Sequence, residues 1–120
     1  DVINEKGEFI TGLIAPGISI CADALYQRAA QLPKIEIKKP KSIIIKNTIG
    51  SIQAGIVLGH IGQTIHIIKE LKKELELPHM KVIATGGLAK VIDSDRSIFD
   101  VLDPVLTLKG LKILYEKNKL

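Results

Sequence analysis

A proline-free stretch from Gly50 to Leu75 constrains this chain more than any other feature, because its apolar residues Ile52, Ile56, Ile65, Ile68, Leu71 and Leu75 recur at helical spacing. A helix over those residues is about 39 Å long at ~1.5 Å rise per residue, so the rest of a 120-residue chain has to be arranged around it. Gly55, Gly59 and Gly62 fall at i, i+4 and i+7 on an overlapping face. Each costs up to about 1 kcal/mol against alanine inside a helix. Three together predict close approach of another backbone, within this chain or from a second subunit. His60 and His66 are six apart and do not share a face as metal ligands at i and i+4 would. With His79, which follows Pro78, they read as exposed or capping side chains.

Before that stretch, Asp1 to Ile14 reads as a hairpin with Gly7 in its turn, and its short first arm predicts that more of the sheet belongs upstream. Ile18, Cys21, Ala22, Leu25, Ala29 and Leu32 pattern an amphipathic helix that Pro33 stops, with Cys21 in the core. Lys34, Lys38, Lys39 and Lys41 face only Glu36; they predict a solvated loop with a short lysine-protected edge strand, or else an anion-binding stripe. Ser42 to Ile45 reads as a short buried strand and Met80 to Ala84 as another. A helix is expected over Leu88 to Ile92, a turn at Val101-Leu102-Asp103-Pro104, and a C-terminal helix carrying Leu106, Leu108, Leu111, Leu114 and Tyr115. Strands alternating with helices predict a layered α/β domain with a mixed sheet flanked by helices.

Composition narrows the function. No apolar run reaches the roughly 18 residues a membrane span needs, and no leader precedes the hairpin, so a cytoplasmic location with no membrane partner is expected. A net charge of +4 suits acidic small substrates as well as it suits nucleic acid. Four aromatics, Phe9, Tyr26, Phe99 and Tyr115, are too few for a base-stacking surface. Cys21, the single cysteine, excludes an internal disulfide. Asp93, Asp95, Asp100 and Asp103 lack the glycine and glutamate spacing of a calcium loop, and no metal site is expected.

Two strand-to-helix turns carry candidate chemistry, since ligands of α/β proteins gather where strands end and helix N–H groups are free. One is Thr85-Gly86-Gly87, which matches neither the GxxxxGK[ST] phosphate loop nor the GxGxxG fingerprint. The other is Lys46-Asn47-Thr48, a cation, an amide and a hydroxyl together, although Asn and Thr before a helix also serve as caps. No Ser-His-Asp or Cys-His set follows from spacing, and no catalytic residue is assigned.

Several segments in order resemble one family: Thr11-Gly12-Leu13-Ile14-Ala15-Pro16-Gly17; Asp23-Ala24-Leu25 with Ala29-Ala30-Gln31-Leu32-Pro33; Lys46-Asn47-Thr48; Gln53-Ala54-Gly55; Ala84-Thr85-Gly86-Gly87-Leu88-Ala89; and Val101-Leu102-Asp103-Pro104 through Leu106-Thr107-Leu108-Lys109-Gly110-Leu111 to Tyr115. Together they resemble the C-terminal half of type III pantothenate kinase, an enzyme of coenzyme A biosynthesis. The resemblance implies an actin-like, ribonuclease H-like fold of the sugar kinase, Hsp70 and actin superfamily. Residues 1–120 would be its C-terminal domain, with the N-terminal ATPase domain upstream. It also implies a homodimer and transfer of the ATP γ-phosphoryl group to pantothenate, giving 4'-phosphopantothenate. Mg and a monovalent cation, K or NH4, take part, with ligands upstream. The family's DxGNT, GxDR and DxGTA segments, which hold the first phosphate loop, the catalytic Asp base and the cation site, are expected before Asp1.

By the same resemblance Thr48, with Asn47 and Lys46, matches the pantothenate site, and Thr85, Gly86 and Gly87 match the loop against adenine and ribose. Ile45 and Thr11 stand where the family carries glycine. The alternatives are another actin-like kinase, or a degenerate or regulatory relative of the transcriptional accessory type that binds without turnover. A nucleic-acid reading of Lys34 to Lys46 predicts retention on DNA that weakens steeply with salt.

Overall fold

The computed structural model describes residues 1–29 and 31–119. Ala30, within the motif at 29–33, and Leu120 lie outside the described residues. The elements run β1 (Val2–Ile3), β2 (Phe9–Thr11), α1 (Ile18–Arg28), α2 (Thr48–Glu74), β3 (Ile83–Ala84), α3 (Ala89–Ile92), β4 (Val101–Leu102) and α4 (Leu106–Asn118).

β1 and β2 form the expected antiparallel hairpin, pairing Val2 with Thr11 and Ile3 with Phe9 around a bulge. The Asn4 side chain organises the turn: its Oδ1 accepts from the Lys6 and Glu8 amides at 3.0 and 2.9 Å, and Gly7 has φ +79°. α1 ends at Arg28, before Pro33, because Ala29 turns extended at φ −94°, ψ 121°.

α2 spans 27 residues, and the core gathers on its first half, where Ile52, Ile56 and the fully buried Val57 pack with Ile18. Ala22, Leu32, Ile35, Ile37, Ile61, Val91 and Ile92 close around them. Ile35 and Ile37 draw the segment after Pro33 onto the helix instead of onto a sheet. Its backbone is satisfied there by the buried Gln53, whose Nε2 donates to the Glu36 carbonyl at 2.9 Å. The edge strand expected among the lysines is therefore absent.

The strand expected over Ser42 to Ile45 does not form either. Ile43 and Ile44 are 75% and 80% exposed, and the Ser42 hydroxyl accepts from the Ile44 amide at 3.0 Å, a local bond that competes with strand pairing. Pro40 just upstream removes a donor. Conversely, Val101-Leu102, expected as a turn, is a strand: β3 and β4 pair in parallel, with Ile83 opposite Val101 and Ala84 opposite Leu102. The strand at Met80 to Ala84 shrinks to its last two residues. In place of one mixed sheet there are two small ones, an antiparallel and a parallel pair.

The glycine face of α2 corrects a further expectation. A Cβ added at Gly55, Gly59 or Gly62 would meet open space, so no backbone of the described residues approaches there, and of the two expected partners it is the one within this chain that is overturned. Gly55 and Gly59 instead line an apolar groove of about 710 Å³ between α1 and α2.

Candidate functional site

The two candidate loops occupy equivalent places, each leading into a helix. Asn47 is the N-cap of α2: its Oδ1 accepts from the Gly50 amide at 2.8 Å, and its carbonyl accepts from the Ser51 hydroxyl at 2.9 Å. Gly50 is needed for that cap, because a Cβ there would come within 2.6 Å of the Ile45 side chain and 3.2 Å of Asn47 Oδ1. The helix is thus started by Asn47, and the adjoining Thr48 hydroxyl has no hydrogen-bond partner among the described residues. Lys46, Asn47 and Thr48 are all exposed.

Thr85-Gly86-Gly87 leaves the carboxyl end of β3 and enters the short α3. Gly86 sits at φ +96°, which an L side chain rarely adopts, and beyond both glycines lies open space. The parallel pairing brings a second chain segment to this loop. The Asp103 amide donates to the Ala84 carbonyl at 2.9 Å, so Asp103 is the neighbour of Thr85 across the ladder. The sequence placed Asp103 in a turn and not beside Thr85, because the strand before it is only two residues long. The structure does not bring the two candidate loops into one pocket; the four principal cavities are lined by other residues.

The aspartates after α3 hold this region in place. Burial of the Asp93 carboxylate favours its neutral form, yet the amides of Phe99, Ser97 and Ile98 donate to it at 2.9, 2.7 and 3.1 Å and hold its pKa below the ordinary value. Lys39, with Ser94, lowers Asp95 through a 2.7 Å ion pair. That pair ties the lysine-rich segment to the 93–99 loop. The Val82 amide, then Lys81, lowers Asp100. The Lys109 ammonium at 2.6 Å lowers Asp103 against partial burial, and the Val105 amide adds to it. These contacts anchor loops, and none is arranged as a donor set. Among the described residues no group of three or more His, Cys, Asp or Glu side chains could hold a metal ion. No helix of the described residues is long and apolar enough to cross a membrane.

His60, expected to be exposed or capping, is half-buried and faces two carbonyls, those of Ile56 and Pro16. Cys21, expected in the core, is half-buried on the wall of the α1–α2 groove.

The family model for type III pantothenate kinase matches residues 1–70, from the hairpin through the motif segment before α1 and Lys46-Asn47-Thr48 to well past the core half of α2. With 70 of 120 residues matched, the chain belongs to the type III pantothenate kinase family.

Proposed function

We propose that this chain works as the C-terminal, actin-like domain of a pantothenate kinase that transfers the ATP γ-phosphoryl group to pantothenate. Membership of a kinase family supports the phosphotransferase class. The observation that carries the residue assignment is the state of Thr48. It lies within the matched residues, it opens α2, and its hydroxyl is left uncommitted because Asn47 does the capping. In this reading Thr48 donates to or accepts from pantothenate, with Asn47 and Lys46 beside it. Thr85, Gly86 and Gly87 receive adenine and ribose at a turn whose glycines leave room for a ligand. That loop lies outside the matched residues, and its support is the motif resemblance together with open space at the end of a parallel ladder.

Phosphoryl transfer depends on positioning and charge neutralisation more than on covalent chemistry, and positioning is what these exposed loops offer. Mg and the monovalent cation would supply the charge neutralisation; the described residues hold no group of three or more His, Cys, Asp or Glu for a metal ion, and this reading assigns the ligands of both ions to the N-terminal domain together with the catalytic base. The homodimer and the cytoplasmic location belong to the same proposal.

Steady-state kinetics of Thr48→Val in the full-length enzyme test it, with each substrate varied in turn. Loss of a hydroxyl bond of about 0.5–1.5 kcal/mol to a neutral partner raises the pantothenate KM up to roughly tenfold and spares ATP. An unchanged pantothenate dependence in a folded variant removes Thr48 from the site. The second reading, a binding relative without turnover, would show as ligand binding with no product.

A further inference from the structure

The last third of α2 turns one side toward the loop that joins α3 to β4. Ile65, Ile68, Lys69 and Lys72 recur at i, i+3, i+4 and i+7, which puts them on one face of the helix, and with Pro78 and Ile98 they line a groove of about 460 Å³. Sites for small ligands begin at about 300 Å³ and combine apolar walls with a few polar groups that fix orientation. Here the walls are isoleucine and proline, and the polar groups are two ammonium groups and the Ser97 hydroxyl. No acidic side chain lines the groove.

The two lysines are uncommitted. Neither makes an ion pair among the described residues. Asp100 feels the Lys72 charge, but its carboxylate oxygens already accept from the Val82 amide at 2.8 Å and the Lys81 ammonium at 3.2 Å. Like charges three residues apart on a helix repel, and Lys72 is half-buried, so the pair is held at a cost. The helix dipole does not account for it, because the exposed Lys73 serves the last turn as well and Lys69 lies outside that turn.

The facing wall is set in advance. Asp93 accepts from the Ser97, Ile98 and Phe99 amides at 2.7, 3.1 and 2.9 Å, and Lys39 ties down Asp95 in the same loop. Ser97 therefore spends its amide on the loop, while its hydroxyl has no hydrogen-bond partner among the described residues.

We propose that this groove binds a small anion with an apolar body, a carboxylate on an alkyl chain. The chain lies along Ile65, Ile68, Pro78 and Ile98, and the carboxylate accepts from Lys69, Lys72 and the Ser97 hydroxyl. A neutral apolar ligand leaves both ammonium groups unpaired, and a bare anion leaves the apolar walls in water, so the groove selects for the two parts together. None of Lys46, Asn47, Thr48, Thr85, Gly86 or Gly87 lines it, and the site is additional to the loops assigned to pantothenate and nucleotide.

Methyl NMR of the full-length protein labelled at isoleucine tests this, with octanoate as the probe and octanol and acetate as controls. The expected result is that octanoate shifts the Ile65, Ile68 and Ile98 methyls together and saturably, leaves Ile10 and Ile83 in their separate grooves unmoved, and is matched by neither control at equal concentration. Lys69→Gln and Lys72→Gln each weaken octanoate binding by about three- to tenfold. Octanol or acetate acting as strongly as octanoate overturns the proposal, as do equal shifts at Ile10 and Ile83 or unchanged affinity in both variants. A response only to vesicles of anionic lipid, with none to monomeric octanoate, overturns it too. The wild-type comparison of the three probes decides alone if a variant folds poorly.

Discussion

Asn47 and Asp93 show how single side chains set this fold, and each has a measurable consequence. Asn47→Ala removes the acceptor for the Gly50 amide and is expected to lower stability by about 1 kcal/mol, read from thermal or urea melts. Thr48→Val, one residue on, should leave the melt nearly unchanged, which separates the cap from the proposed substrate contact. Asp93→Ala strands three amides around a buried site and is expected to cost about 1.5–3 kcal/mol. Asp93, Asp95, Asp100 and Asp103 all have native pKa values below the ordinary 3.8. A depressed carboxylate stabilises the fold in full above its unfolded value and loses that contribution as pH falls through the native one. The melting temperature should therefore fall steeply once pH drops below about 4, with a shallower fall in Asp93→Asn.

Among the elements, α2 was legible and the sheets were not. Helical spacing and the absence of proline marked α2 to within two residues, and Gly7 with its neighbours marked the hairpin. Two-residue strands leave too little pattern to read, so Val101-Leu102 passed for a turn, and Ile43-Ile44-Ile45 passed for a strand because β-branched residues mimic one even where no partner exists. Thr85-Gly86-Gly87 was legible as a strand-to-helix turn, whereas Lys46-Asn47-Thr48 enters α2 with no strand before it; the bond from the Asp103 amide to the Ala84 carbonyl was not legible, because parallel partners lie far apart in sequence. The glycines of α2 were misread in one respect: their cost was plain, but their surroundings in this chain are open. Gly59→Ala should therefore raise the stability of the single chain by up to about 1 kcal/mol, since a Cβ meets nothing and the helix gains propensity. If the full-length enzyme dimerises over this face, the same substitution lowers its dimer affinity, which sedimentation would register.

The whole molecule is open for its size. Its radius of gyration is 17.4 Å, whereas about 13.6 Å is expected of a compact 120-residue domain. Its accessible surface is 9497 Å², against about 6,400 Å² for a compact protein of its mass. α4 contributes much of the excess, with Leu108, Leu111, Leu114 and Tyr115 all more than half exposed. Such a surface fits a domain that is covered by the rest of a kinase, and it supports the proposed division of labour. The chain by itself is expected to show no pantothenate-dependent ATP turnover; measurable turnover would place the base and the first phosphate loop within these 120 residues. The parallel ladder also bears on what a ligand could do at its end. The hairpin closes five residues, whereas β3 and β4 meet across sixteen, and the Val101 and Asp103 amides donate to the Val82 and Ala84 carbonyls where they do. Closing that loop costs entropy that so short a ladder returns only in part. In the proposed reading a nucleotide settling at the Thr85-Gly86-Gly87 turn would bind the paired strands and not the open ones, and so would clasp them together.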